Sequence, residues 1–421
     1  MIIKKGRLCG EIGAIPSKSD AHRAIICALL SRSVCKISPI IDSKDIFATI
    51  KAAQALGAVC TIDGDTLTID STDLITDDKH NITIDCVESG STLRFMLAVA
   101  AALGANVDFI GQGRLPMRPI DDFYNLFPKH GATLSCNHLP LTLHGKLTAG
   151  DYEIGGNISS QYITGLLLSL PILHQSSRIT LTTKLESKPY VDMTLGVMKR
   201  FGVDVIEDEK GYIIPENQSY SACDYTIDGD WSQAAFFLVA GAVGGNIKMS
   251  GLRLDSTQGD REIFEIIKKF GGNIYEENGY IVSKKGELCG TDINAEQIPD
   301  LVPIIAVMAA FSKGTTKIYG AGRLRYKESD RIKTVTAALK SFGADVAETD
   351  DGMIINGDPE IKTMHSGKFE CCNDHRIAMA FSVMAAYIAD SEIIGHECVS
   401  KSYPNFFDDF NRLLKGGKVD E

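Results

Sequence analysis

The 421-residue sequence has one tryptophan, no Cys-x-x-Cys pair and no uninterrupted apolar run of the roughly 18 residues that a membrane helix needs. Each absence excludes a class. Without such a run no membrane helix is expected, and the start Met1-Ile2-Ile3-Lys4-Lys5-Gly6 has no apolar signal core, so the expected location is cytoplasmic. The eleven cysteines are odd in number and scattered from Cys9 to Cys398, with only Cys371 and Cys372 adjacent. That excludes a disulfide scaffold and leaves mostly reduced, buried thiols. The nine histidines never stand at zinc-ligand spacing with one another or with cysteine, so no metal is expected. A net charge of −11 lacks the basic excess that phosphate backbones require, which argues against nucleic acid as a partner. Two nucleotide signatures are missing too: there is no Gly-x-x-x-x-Gly-Lys-Ser/Thr loop, and Gly111-Gln112-Gly113 reaches Pro116 where a dinucleotide fingerprint has its third glycine. ATP and NAD are unsupported as cofactors, and none is expected.

What is present is a globular composition, 44% apolar and 23% charged, over a length that suggests two domains. A repeat organises it. Gly57, Gly131, Gly202, Gly271 and Gly343 each close a helical pattern and precede two short alternating strands, at intervals of 74, 71, 69 and 72 residues. Glycine at the end of a helix enters the left-handed conformation without a steric penalty. A second landmark occurs six times, a polar cluster ahead of a strongly apolar helix: Ser17-Lys18-Ser19-Asp20, Glu88-Ser89-Gly90-Ser91, Ser159-Ser160-Gln161, Asp230-Trp231-Ser232-Gln233, Ile298-Pro299-Asp300 and Asn373-Asp374-His375. These are N-cap residues, and helices apolar nearly all round must be buried.

Six helix starts but five complete cap-and-hairpin segments leave one unit short of strands. The last helix runs into Leu414-Lys415-Gly416-Gly417, and Met1 to Ile12 has strand character without a helix of its own. The first dozen residues are therefore expected to pack with the last third of the chain and to complete the sixth unit. This gives two lobes of three units, 14–228 and 1–13 with 229–421, joined by a two-stranded hinge near 13–16 and 228–231. Six helix N-termini facing one cleft would favour anions through free amides and dipoles. Basic residues stand at those starts: Lys18 and Arg23, Arg94, Arg118, Lys188, then Arg323, Arg325, Lys327 and Arg331, then Arg376 and Lys401. The pattern suits a small polyanion.

Pro16-Ser17-Lys18-Ser19 with Arg23, Glu88 to Arg94, Ser159-Ser160-Gln161, Ser187-Lys188-Pro189-Tyr190, Ile298-Pro299-Asp300, Lys327 to Arg331, Asn373 to Arg376 and Lys401-Ser402-Tyr403-Pro404 together resemble, in order and over essentially the whole chain, the motifs of the 5-enolpyruvylshikimate-3-phosphate synthase family. The resemblance implies a two-domain α/β (α+β) fold, an inverted α/β barrel of six βαβαββ units, three per domain. It implies transfer of the enolpyruvyl group of phosphoenolpyruvate to the 5-hydroxyl of shikimate 3-phosphate, with release of phosphate; nothing in the sequence indicates an oligomer, and a monomer is the default expectation. It assigns Lys18, Ser19, Arg23, Ser159, Ser160, Gln161, Ser187, Asp300 and Lys327 to shikimate 3-phosphate. It assigns Lys18, Gly90, Arg118, Gln161, Arg331, Arg376 and Lys401 to phosphoenolpyruvate.

Of the catalytic groups it implies, Asp300 is the base at the 5-hydroxyl, Glu328 the proton donor near C3, and Lys18 with Lys401 the groups at the departing phosphate. Glu88 and Arg323 stand where many relatives carry asparagine; Glu88 is expected only to position its loop. The related transferase acting on UDP-N-acetylglucosamine resembles the chain less, since Gln112 to Ile120 has no cysteine, and RNA 3′-phosphate cyclase would need a nucleotide site that is not found. A substrate bridging two cationic lobes is expected to favour closure.

Overall fold

The computed structural model describes residues 1–416; Gly417, which the repeat reading included, lies outside the described residues. The chain divides into two compact units, Lys18–Ile227 and Met1–Ser17 with Asp228–Glu421. Each has its own apolar core.

The unit Lys18–Ile227 holds three inner helices, α1 (Lys18–Leu30), α2 (Gly90–Leu103) and α3 (Ser160–Ser169), nearly every residue of which is buried. Each is followed by a strand, an outer helix and a hairpin. The three resulting sheets have four strands each. Ile82–Asp85 pairs parallel with Val107–Ile110 across α2, and Asp151–Ile154 pairs parallel with Ser177–Leu181 across α3. For α1 the equivalent strand comes from the far end of the unit, where Tyr225–Thr226 pairs parallel with Val34–Ser38.

The other unit repeats the scheme around α4 (Trp231–Val243), α5 (Val302–Ala310) and α6 (His375–Ile388). Its sheets are closed off by the first residues of the chain, but these divide between two sheets. Ile2–Ile3 pairs antiparallel with Ser391 and Glu392, in the sheet that contains Lys368–Glu370. Cys9–Gly13 instead pairs parallel with Asn246–Ser250, the strand after α4. It is the fourth unit, not the sixth, that takes the longer strand. The outer helix Phe406–Gly416 packs on it: Gly6 and Gly10 lie against Leu414 and Leu413, and Arg412 donates to the Glu11 carbonyl at 2.9 Å. Five complete βαβαββ units and a shorter sixth, whose sheet has three strands, are thus present among the described residues, three units in each half; no sheet among them closes on itself, so the word barrel describes the arrangement and not a closed ladder.

The repeat glycines have one physical cause. Gly57, Gly131, Gly202, Gly271 and Gly343 follow helix ends with φ between 78° and 100°, where a side chain is strained.

Candidate active site

Helix starts carry the polar side chains, and short strained loops aim them. Val87, Ser187, Cys372 and Asn373 all have φ between 49° and 56° and all lie within three residues of a helix start. For a β-branched valine this region is an outlier costing about 1–3 kcal/mol, an expense that packing sustains most often near functional groups. Asp374 then caps α6, its carboxylate accepting from Arg376 N at 3.0 Å, while Ser89 caps α2 and accepts from Thr92 N at 3.2 Å.

In the unit Met1–Ser17 with Asp228–Glu421, three carboxylates and three cations interlock. Asp300 accepts from Arg331 Nη1 at 2.9 Å and from Arg376 Nη2 at 2.8 Å, with Lys327 Nζ at 3.8 Å. Arg331, 2% exposed, also donates Nε to Asp374 at 2.8 Å and Nη2 to Glu328 at 3.3 Å. His375 Nδ1 lies 3.0 Å from the same Glu328 oxygen. Lys401 Nζ donates to the Asn373 carbonyl at 2.7 Å, beside the start of α6. Burial alone would push the Asp300 carboxyl up, but the charges of Arg376, Lys327 and Arg331 outweigh it and hold the group well below the usual carboxylate range. Asp374, Glu328 and Asp300 likewise outweigh burial and raise Arg331.

Glu328, Asp374 and His375 bring donor atoms within 4.8 Å of one another, the spacing of a metal site. The chemistry of the set favours a guanidinium there. Asp374 already accepts from Ser329, Arg331 and the Arg376 amide, and Arg331 lies against both carboxylates.

The unit Lys18–Ile227 gathers a second set. Lys18 Nζ contacts Asp45 at 2.7 Å, both side chains mostly buried. Arg23 is locked from three sides, donating to Thr194 Oγ1 at 2.7 Å, the Ser19 carbonyl at 2.6 Å and the Tyr190 carbonyl at 2.9 Å. Gln161, on the first turn of α3, donates to Ser91 Oγ at 2.9 Å and accepts from Arg94 Nη1 at 3.0 Å, so α2 and α3 share their polar ends. Ser159 caps α3 through the Gln161 amide at 3.3 Å; Ser160 follows, buried, and Ser187 is buried at the start of Lys188–Arg200. Gly90 packs under Arg118: a Cβ at Gly90 would stand 2.7 Å from the guanidinium Cζ.

Beneath Lys18 runs a buried chain of hydroxyls. His22 Nδ1 lies 2.7 Å from Thr49 Oγ1, Thr49 lies 2.7 Å from Thr92, and Thr92 donates to Ser89 Oγ at 2.8 Å. Because Thr92 donates onward, Thr49 donates to Thr92 and His22 donates from Nδ1. The imidazole is neutral, its pKa pushed down to about 3 first by burial, with Lys18 and Arg23 adding to the effect and Asp45 opposing it. Its Nε2 is buried with no hydrogen-bond partner among the described residues.

Each expected residue can be placed. Asp300, Lys327, Glu328, Arg331, Arg376 and Lys401 converge in one unit; in the other, Lys18, Ser19, Gly90, Ser159, Ser160, Gln161 and Ser187 stand at helix starts, Arg23 in the second turn of α1, and Arg118 in the loop before Asp121–Leu126. Three further basic residues serve other contacts. Lys188 lies 2.5 Å from Asp192 and 3.3 Å from Glu207, Arg325 pairs with Glu348 and Asp330, and Arg323 donates to the Glu296 carbonyl. The Glu88 carboxyl lies against Gly113 in the loop that leads to Arg118. Sequence reasoning gave no role in the site to Asp45 or His22, placed His375 only in a cap cluster, and counted Arg94 only among the cations at helix starts. Asp374 was visible only as a helix cap, and Asp45, inside the first turn of Lys44–Ala55, has no sequence signal pointing to Lys18.

The sequence model of EPSP synthase (3-phosphoshikimate 1-carboxyvinyltransferase) matches residues 2–410. The 3-phosphoshikimate 1-carboxyvinyltransferase of Clostridium novyi (strain NT) is 45% identical, with 98% of this chain and 97% of the relative covered; that of Clostridium acetobutylicum is 46% identical, with 98% and 96% covered. Among solved structures, an EPSP synthase from Acinetobacter baumannii is similar at a TM-score of 0.79 and 24% identity, covering 98% of each chain. The enolpyruvyl transferase NikO from Streptomyces tendae reaches 0.80 at 17% identity, covering 98% of this chain and 96% of its own. These two bear on the fold.

Proposed function

Because the chain belongs to the EPSP synthase family, enzymes of enolpyruvyl transfer in the shikimate pathway, we propose that the two polar sets described above are its working parts. The reaction joins shikimate 3-phosphate to the enolpyruvyl group of phosphoenolpyruvate and releases phosphate. Lys18, Ser19, Arg23, Ser159, Ser160, Gln161, Ser187, Asp300 and Lys327 hold shikimate 3-phosphate. Lys18, Gly90, Arg118, Gln161, Arg331, Arg376 and Lys401 hold phosphoenolpyruvate. Two phosphates and two carboxylates must be brought together, and clustered guanidinium and ammonium groups offset that repulsion.

The observation that carries the reading is the Asp300 carboxylate held between Arg331 and Arg376, with Lys327 beside it. Without substrate these cations depress its basicity. Substrate anions compete for the same guanidinium and ammonium groups, so binding raises Asp300 toward the range where it accepts the 5-hydroxyl proton. Proton transfer to C3 of phosphoenolpyruvate makes C2 electrophilic, the 5-oxygen adds there, and loss of the C3 proton with the phosphate restores the double bond. Glu328, within reach of His375 and Arg331, is the group assigned to C3, and Lys18 and Lys401 stabilise the leaving phosphate. A cytoplasmic, monomeric enzyme belongs to the same proposal.

Phosphate release from phosphoenolpyruvate tests it. Shikimate 3-phosphate is expected to support turnover and UDP-N-acetylglucosamine not to, and Asp300→Asn is expected to lower kcat by about 10²- to 10⁴-fold, the usual contribution of a positioned base. Turnover within threefold of the wild type in Asp300→Asn would remove Asp300 from the chemistry.

A further inference from the structure

Asp300 and Arg376 stand at the N-terminal ends of α5 and α6; the opposite ends of α4, α5 and α6 line a cavity of about 350 Å³. Its floor is apolar. Tyr387 and Phe311 meet edge to face at 6.2 Å between centroids, and Val243 and Ile361 complete the wall. The Tyr387 ring is fixed in place, since its hydroxyl donates to the Ala240 carbonyl at 2.8 Å and accepts from Leu8 N at 3.3 Å, while Gly244 packs against the ring itself. The volume falls in the range of sites for small organic ligands, about 300–1,000 Å³.

The rim is cationic. Lys5, Arg7 and Lys285 line it, and among the described residues no carboxylate does. All three are exposed, and none has an ion pair among the described residues. Of the acids near it in sequence, Asp390 pairs with Lys4 at 2.7 Å, Glu360 pairs with Lys362 at 2.6 Å and Asp358 accepts from Thr363, while Glu287, two residues from Lys285, does not line the cavity. In a chain of net charge −11, three cations around an apolar floor are a local inversion. The wall is also strained. Ile361 has φ 52°, a conformation that a β-branched residue enters only when its surroundings impose it.

We propose that this cavity is a binding site for a small organic carboxylate with a flat apolar body, its ring on Tyr387 and Phe311 and its charge met by Lys5, Arg7 and Lys285. The class follows from the two halves of the lining. A hydrated inorganic anion leaves the aromatic floor unused, and a neutral ring leaves three like charges facing one another. Arg7 offers the planar fork that grips a carboxylate with two parallel hydrogen bonds.

The test is titration calorimetry of the full chain with 2-naphthoate, run with shikimate 3-phosphate at saturation so that the substrate site is occupied. We expect saturable 1:1 binding, at least 10-fold weaker binding of 2-naphthamide and of acetate, and at least a 10-fold loss of naphthoate affinity in K5Q/R7Q/K285Q with kcat and KM unchanged. Lys285→Glu alone, at an exposed position, is expected to weaken binding in the same direction. The proposal fails if naphthoate does not bind below 10 mM, if shikimate 3-phosphate displaces it, if acetate or naphthamide binds as well, or if the charge variants bind it normally.

Discussion

Gly90→Ala isolates one contact of the proposed donor site. Gly90 is the first residue of α2 and its φ is an ordinary one, so alanine suits the backbone and favours the helix by about 0.5–1 kcal/mol. The obstacle is steric. The added methyl would meet the Arg118 guanidinium, with Cζ at 2.7 Å and Nη2 at 2.8 Å, well inside non-bonded contact, and the atoms it meets are the far end of a flexible side chain. Arg118 therefore swings away and the fold is kept. If its guanidinium holds phosphoenolpyruvate, a charge-assisted hydrogen bond of about 1.5–3 kcal/mol is lost, which corresponds to a rise of about 10- to 150-fold in the KM for phosphoenolpyruvate. The KM for shikimate 3-phosphate should move less than threefold, and the melting temperature should hold or rise. Initial rates with each substrate varied in turn, beside thermal unfolding, measure all three. An unchanged KM for phosphoenolpyruvate refutes the role given to Arg118. A large fall in melting temperature refutes the claim that the side chain alone yields.

Two further perturbations probe the buried electrostatics. His22 has a folded pKa of about 3 against an ordinary 6.5, so the unfolded chain binds the extra proton first. Its contribution to stability is whole above about pH 6.5 and drains away as pH falls toward 3, by up to about 1.4 kcal/mol per pH unit. Urea unfolding between pH 7 and pH 4 should be less steep in pH for His22→Gln than for the wild type, and equal slopes would contradict a neutral buried imidazole. Asp374→Asn removes a fully buried partner of Arg331. The expected loss is about 3–5 kcal/mol in equilibrium unfolding, because the guanidinium is left short of a counter-charge; a loss under 1 kcal/mol would mean that Glu328 and Asp300 suffice.

The repeat was legible because each unit needs the same two local devices, a glycine where a helix must stop and a cap where a buried helix must start, and both are written in residue type. Strand partners are a different matter. Cys9–Gly13 and Tyr225–Thr226 each complete a sheet far away in sequence, and five or two residues without a strong alternation carry no address; hence Cys9–Gly13 was assigned to the sixth unit with Ile2–Ile3, although it completes the fourth. Within the site, the cations were visible as recurring charges beside caps, but charge alone does not tell a ligand-facing arginine from a structural one. Lys188 and Arg325 looked the same as Arg376 until their acidic neighbours were placed. Asp374 was read as a cap and proved also to be the counter-ion of Arg331, a second role that depends on a residue 43 positions away.

The pairing of Ile2 with Glu392 bears on how the chain is made. At a synthesis rate of about 5–20 residues per second, the strand that Ile2–Ile3 joins emerges roughly 20–80 s after it. Lys18–Ile227 is one continuous stretch and is ready to fold on the ribosome, whereas in the other half the strand of Ile12 waits for Asn246–Ser250 and Ile3, buried at the end, stays in the open until Ser391–Ile394 arrives. Ile2–Ile3 therefore stays unpaired until nearly all the residues between it and Ser391 have been made, and the last half to form is the one in which Asp300 meets its arginines.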